Sequence, residues 1–317
     1  MGVPLLALVA VDRAIVGYRP HWEWVVREVA PNQVDTYRVE AILRTTPRDA
    51  GNVAILGDST ALAALDAPTL DEAFADRGRH FVPITVGGTQ TVSFGFLTNA
   101  ILATGARAAV LVVSPYGTRA EVDHGRVEFY DVRAVPSLFT LGEVLAAPRF
   151  HLAGIAAQSH VLIRQQWALR QAAQVWLGRT SWARLELDSL RGRLRAFRRG
   201  EFGPILEWFR ARVPETYPNP NTRAIRYLAR RLRAHGGRLV LMESPPHPVL
   251  DLVMASRRLA PFRAHMTEIA RREGLVYVTG DDLPALEPED FEDQTHLNAR
   301  GRARVTAVVA ARLRDVL

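Results

Sequence analysis

The chain has 317 residues, 48% of them hydrophobic and 23% charged, which is enough apolar material for a sizeable core and excludes a disordered composition. Its formal charge is +7 and its pI about 10.4, yet all 40 basic residues are arginine. With no zinc-ligand spacing and no aromatic RNA-binding strand, that uniformity reads as compositional bias, and no nucleic-acid partner is expected. The lack of cysteine excludes disulfides, cysteine-ligated zinc and thiol catalysis.

Residues 1–50 read as a helical segment. In "MGVPLLALVAVDRAIVGYRPHWEW" the apolar run breaks at Asp12-Arg13, short of the roughly 20 residues that a membrane-spanning helix needs. No basic n-region or small-residue cleavage site marks a secretory leader. Two readings fit: a docking helix, or a membrane-proximal anchor with Trp22 and Trp24 at the interface.

From residue 51 onward short apolar runs alternate with helical patterns, the signature of βαβ units and a parallel sheet. Five runs qualify: Val53 to Leu56, Phe81 to Val86, Ala109 to Val113, Arg238 to Met242 and Leu275 to Val278. Each is nearly uninterrupted in apolar residues, as strands covered on both faces are. The expected fold is α/β, with three layers and five parallel strands.

The first run ends in Gly57-Asp58-Ser59, ahead of an Ala- and Leu-rich helix. Gly57 permits a tight turn and puts Ser59 at or just before the first helical turn. There Ser59 is either a helix cap or a nucleophile beside free N–H groups that favour an oxyanion. The second run leads into "PITVGGTQT" and the third into "VLVVSPYGT".

Residues from about 119 to 221 are too many for an ordinary connection and need structure of their own. "SHVLIRQQWALRQAAQVWLG" and "TSWARLELDSLRGRLRAFRRG" space apolar residues three and four apart, so an inserted helical subdomain is expected, closed by the turn-rich "PETYPNPNT". Its arginines with Trp167, Trp176 and Trp182 fit a membrane surface, or solvated faces over a tryptophan-containing core.

After the fourth run comes "ESPPHP", whose His247 either lines a substrate mouth or belongs to a rigid proline turn. After the fifth, "TGDDLPALEPED" carries Asp281-Asp282. A metal-dependent phosphatase would also need an aspartate nucleophile after the first strand, where Gly-Asp-Ser stands, so a solvated acidic loop is the reading adopted. Finally, "FEDQTHLNARGRARVTAVVAARL" places Asp293 three residues before His296 on a loop. Asn298 can cap the last helix, which buries Val305, Val308, Val309 and Leu313 on one face. Parallel strands end at one edge, so the loops after the first and last strands can meet there, and Asp293 can orient the His296 imidazole toward Ser59.

These blocks resemble the SGNH, or GDSL-type, hydrolase superfamily, through Gly57-Asp58-Ser59, Gly88 in "PITVGGTQT", and Asp293-x-x-His296 before a terminal helix. The resemblance covers residues 52–317 outside the helical insertion. It implies a flavodoxin-like sheet and acyl transfer without metal or cofactor. Ser59 would be the nucleophile, His296 the general base and Asp293 its orienting partner. The backbone N–H groups of Ser59 and Gly88 would form part of the oxyanion hole, with Gly87 competing for that place. The asparagine that the family usually carries after the third strand is absent; Ser114 is the nearest polar candidate, with Tyr116 behind it, and both could equally shape a turn. A looser likeness to cell-envelope O-acyl-modifying branches implies an acyl-ester small molecule or acylated polysaccharide as substrate. It also implies a membrane-associated or extracytoplasmic setting. The alternative is a catalytically weak accessory protein that binds an envelope polymer.

Overall fold

The computed structural model describes residues 2–28, 35–122, 129–160, 216–248, 259–293 and 295–317, with scattered positions between 165 and 184. The chain divides into two compact units, Met1–Thr46 with Asp123–Ala196, and Pro47–Val122 with Phe197–Leu317. The N-terminal segment and most of the insertion, separate along the sequence, thus fall in one unit.

The second unit is built on β1 (Asn52–Gly57), β2 (His80–Thr85), β3 (Ala108–Val113), β4 (Arg238–Glu243) and β5 (Val276–Val278). All pairings are parallel and the order is β2-β1-β3-β4-β5, the arrangement expected of a three-layer α/β fold. Among the described residues its helices are α1 (Ser59–Ala64), α2 (Ala67–Ala73), α3 (Thr91–Ala103), α4 (Pro220–Ala234), α5 (Ala260–Glu273) and α6 (Ala299–Arg314).

Alternate strand residues point to opposite faces. Val53, Ile55, Val110, Val112, Val240 and Met242 therefore meet one layer, where they pack with Leu70, Phe74, Val305, Val309 and Leu313 of α2 and α6 and their flanks. Each such side chain contributes about 1.5–3 kcal/mol when fully buried. On the other face α3 packs against α4 and β1, and α4 against β4. The central strands β1 and β3 are buried throughout, which is why they read as unbroken apolar runs. β5 departs from that rule because it is an edge strand: Val276 is 41% exposed.

β1 lies between β2 and β3, so the chain builds outward on one side and then crosses to the other. The carboxyl ends of β1 and β3 flank that switch point, where open α/β sheets form their binding crevice. The turn from β1 into Ser59 at the start of α1, and the loop carrying Ser114, leave the sheet there.

In the first unit the N-terminal segment forms helices Gly2–Gly17, Arg19–Glu28 and Asp35–Thr45. Trp22, Val25, Tyr37 and Ala41 make its core. Trp22 is 1% exposed and its indole N–H donates to the Ile15 carbonyl at 3.0 Å, so it is a packing residue of this unit and not an interfacial one; Trp24 is half-buried and stacks on His21. No helix among the described residues is long and apolar enough to cross a membrane. The insertion contributes helices Val135–Leu138, Leu141–Ala146 and Pro148–Ser159. Most of the two Arg- and Trp-containing stretches that follow, including Trp167, Trp176 and Trp182, lies outside the described residues.

Candidate active site

Gly57 closes β1 with φ of +149°, a conformation that L side chains rarely adopt, and a Cβ there would stand 2.5 Å from that of Ala61. Glycine therefore lets the chain enter α1 at once. Asp58 is the N-cap: its Oδ1 accepts the Thr60 N–H at 2.9 Å and the Thr60 hydroxyl at 2.6 Å. Burial pushes the Asp58 carboxyl up, against the hydrogen bonds from Thr60 and the nearby His296. With Asp58 as the cap, Ser59 is the first helical residue and its hydroxyl serves another partner.

That partner is His296, whose Nε2 lies 2.7 Å from Ser59 Oγ. The other ring nitrogen, Nδ1, lies 2.7 Å from Asp293 Oδ2 and 2.8 Å from Oδ1. An ionised carboxylate only accepts hydrogen bonds, so it places the proton on Nδ1 and leaves the Nε2 lone pair facing the serine hydroxyl. Asp293 Oδ1 also accepts the N–H groups of Thr295 and His296, both at 2.8 Å. Burial would raise this carboxyl, but its hydrogen bond and attraction to His296, with the two backbone donors, hold it down at about 2.

The loop that presents this pair is framed on both sides. Phe291 bridges Leu297 and the Glu292 N–H donates to the His296 carbonyl at 2.8 Å. Asn298 caps α6 by accepting the Gly301 N–H at 3.1 Å, while its own N–H donates to the Asp290 carbonyl at 3.0 Å. Asp290, fully buried, pairs with Arg300 at 3.0 Å and with Arg304. The imidazole and its carboxylate are therefore set by a braced turn ahead of α6.

The other sequence-nominated positions lie on loops at the same edge of the sheet. The Val86 N–H donates to the Gly57 carbonyl at 3.0 Å, and the turn after it is closed by Thr89 N–H to Val86 O at 3.3 Å. Gly88 occupies that turn with φ of +63°, which favours glycine over any other residue; Gly87 precedes it. Ser114 follows β3, and its Oγ accepts the Gly117 N–H at 3.0 Å while its carbonyl accepts the Thr118 N–H at 3.1 Å. Ser114 thus organises a turn, and its hydroxyl proton remains to be donated elsewhere. Tyr116 is half-buried under the Arg119 guanidinium, 4.1 Å from its ring centre. Thr91 ties the two loops together, donating through N–H at 3.0 Å and hydroxyl at 3.1 Å to the Gly117 carbonyl. The buried carboxamide of Asn221 is spent at both ends, accepting the Val92 N–H and donating to the Arg119 carbonyl, each at 2.8 Å.

His247 comes to this edge as well. Its ring lies 4.9 Å from that of Phe291; burial lowers its imidazole, while the Asp293 charge acts in the opposite sense. Asp282 accepts from the Thr279 N–H and hydroxyl, both at 2.9 Å, and pairs with Arg312 at 3.1 Å. Asp281 is 86% exposed and lies 3.6 Å from Arg263.

Sequence reasoning missed Glu243 and Asp290. Glu243 ends β4 fully buried, holding Arg263 at 2.8 and 2.9 Å and accepting from the Tyr277 hydroxyl and Gly280 N–H at 3.2 Å. It joins the ends of β4 and β5 to α5. The available signal was an acid closing an otherwise apolar strand, which is costly to bury unless paired. The chain matches no known family model and no curated protein.

Proposed function

We propose that this chain is an SGNH-type serine esterase or O-acyltransferase working through an acyl-Ser59 intermediate. The observation that carries the reading is the continuous hydrogen-bonded line from Ser59 Oγ through His296 to Asp293, at 2.7 Å for each link, within the reach that general-base activation of a hydroxyl requires. Its position at a sheet switch point supports the same reading.

In this mechanism Ser59 Oγ attacks the ester carbonyl carbon as its proton passes to His296 Nε2. Collapse of the tetrahedral adduct breaks the bond to the leaving alcohol, which takes the proton from Nε2 and leaves acyl-Ser59. Water or a sugar hydroxyl then delivers its proton to Nε2 and attacks the acyl carbon, and Ser59 regains its proton as the product departs. Asp293, held at about 2, stays ionised throughout and stabilises the imidazolium. The backbone N–H groups of Ser59 and Gly88 and the Ser114 hydroxyl are the proposed oxyanion donors. The acyl ester, small or polymer-borne, and the envelope setting come from the family resemblance.

The test compares hydrolysis of p-nitrophenyl acetate by the full chain and by Ser59→Ala, together with labelling by a fluorophosphonate. Loss of turnover and of labelling in the variant is expected, and equal rates would remove Ser59 as nucleophile. A second reading, a weak or inactive binding protein, draws on Ser114 being engaged by the Gly117 N–H. An intact chain that neither turns over ester nor accepts the probe would favour it.

A further inference from the structure

The opposite edge of the sheet, where the strands begin, holds an open cavity of about 450 Å³ lined by Arg77, Arg79, Arg107 and Arg238. Arg77 and Arg79 precede β2, Arg107 precedes β3, and Arg238 opens β4, so positions far apart in sequence converge there. Strands of about six residues at roughly 3.3 Å each separate this edge from Ser59 by about 20 Å.

None of the four guanidinium groups forms an ion pair with an Asp or Glu side chain among the described residues. The nearby acids are used otherwise: Asp49 accepts the Gly51 N–H at 2.6 Å, and Asp76 pairs with Arg314 at 3.3 Å. Three of the arginines are held in place by oxygens of the last residues, two by main-chain carbonyls and Arg79 by the Leu317 carboxylate. Arg79 donates to Leu317 at 2.8 Å, Arg238 to Val316 at 2.6 Å, and Arg77 to Arg314. Such contacts fix the side chains; the Leu317 carboxylate offsets the charge of Arg79, and Arg77, Arg107 and Arg238 are left beside the partial negative end of one helix with no carboxylate partner among the described residues. The Arg107 side chain makes no hydrogen bond within the described protein, its carbonyl accepting the Arg238 N–H at 2.8 Å, and Arg79 Nε is buried without a partner. Four guanidinium charges against one carboxylate leave an excess of three like charges that repel one another, and a bound anion would turn that repulsion into attraction.

We propose that this cavity is a binding site for a compact, multiply charged oxyanion of the diphosphate or phosphosugar class. Arginine forks suit phosphate oxygens, which take two parallel N–H donors at once. The rest of the lining is glycine and alanine with Val316 and Leu317, and it holds no aromatic ring on which a base could stack. That composition favours recognition of the charged group over recognition of a nucleobase.

The experiment is calorimetric titration of the full chain with inorganic pyrophosphate against sodium chloride at matched ionic strength, repeated with Arg107→Gln and Arg107→Glu. Because the Arg107 side chain is exposed and makes no hydrogen bond within the described protein, both variants are expected to keep the wild-type thermal midpoint. Saturable pyrophosphate binding that weakens about tenfold in Arg107→Gln, and further in Arg107→Glu, is the expected result, a tenfold change being the loss of one charge-assisted hydrogen bond. Absence of saturable binding, equal effects of chloride, or full affinity in both folded variants would overturn the proposal.

Discussion

Asp293→Asn removes one charge from the candidate site and almost nothing from its shape. In the native protein the carboxyl sits near 2 against an ordinary 3.8, a preference for the ionised form of about 2 kcal/mol at 1.36 kcal/mol per unit. An asparagine amide keeps one oxygen for the Thr295 and His296 N–H groups, now bound at 2.8 Å, so the turn survives. The amide NH₂ then faces His296 Nδ1, which must become the acceptor. Nε2 carries the proton instead and can no longer take one from Ser59. The combined loss of the general base and of the charge opposite the imidazolium is worth on the order of 10⁴ in kcat, or about 5 kcal/mol. Steady-state hydrolysis of p-nitrophenyl acetate reads the rate, and a thermal melt shows that the fold persists. A folded variant that retains kcat within about tenfold of wild type would refute the assignment of Asp293 as the orienting carboxylate.

Other outcomes test neighbouring parts of the argument. Ser114→Ala is expected to lower kcat by about a hundredfold with KM nearly unchanged, as for removal of one oxyanion donor; a loss of about 1 kcal/mol in stability with kcat intact would assign Ser114 to its turn alone. Arg263→Met leaves Glu243 buried with only the Tyr277 and Gly280 donors, and should destabilise the fold by about 3–5 kcal/mol by urea denaturation; a loss below about 1 kcal/mol would count against that network. The Asp293 carboxyl is depressed in the folded state, so its contribution is complete above the unfolded value near 4 and disappears as pH falls toward 2. The wild type should lose about 2 kcal/mol over that window that Asp293→Asn does not lose, and parallel acid-stability curves for the two would contradict this.

Much of the fold was legible because a parallel sheet buried on both faces must be written in continuous apolar runs. β1, β3 and β4 announce themselves that way. Gly57, Asp293 and His296 were legible for a different reason: a sharp strand-to-helix turn and a carboxylate beside an imidazole each leave short, local patterns. The same locality left Ser59 ambiguous, since Ser and Asp are both good caps and the tripeptide contains one of each. Only the folded chain divides the duties, with Asp58 accepting from Thr60 and Ser59 facing His296.

What the sequence alone determined, then, is the order of strands along the chain and the chemical types available at the ends of β1 and before α6. Whether those types meet depended on the strand order β2-β1-β3-β4-β5 and on the bracing of the last loop by Asp290 and Asn298. The burial of Glu243 against Arg263 and the gathering of four arginines at the far edge belong to the same category. Each joins residues tens to hundreds of positions apart, and electrostatic pairing depends on distance in space, which periodicity along a chain does not encode.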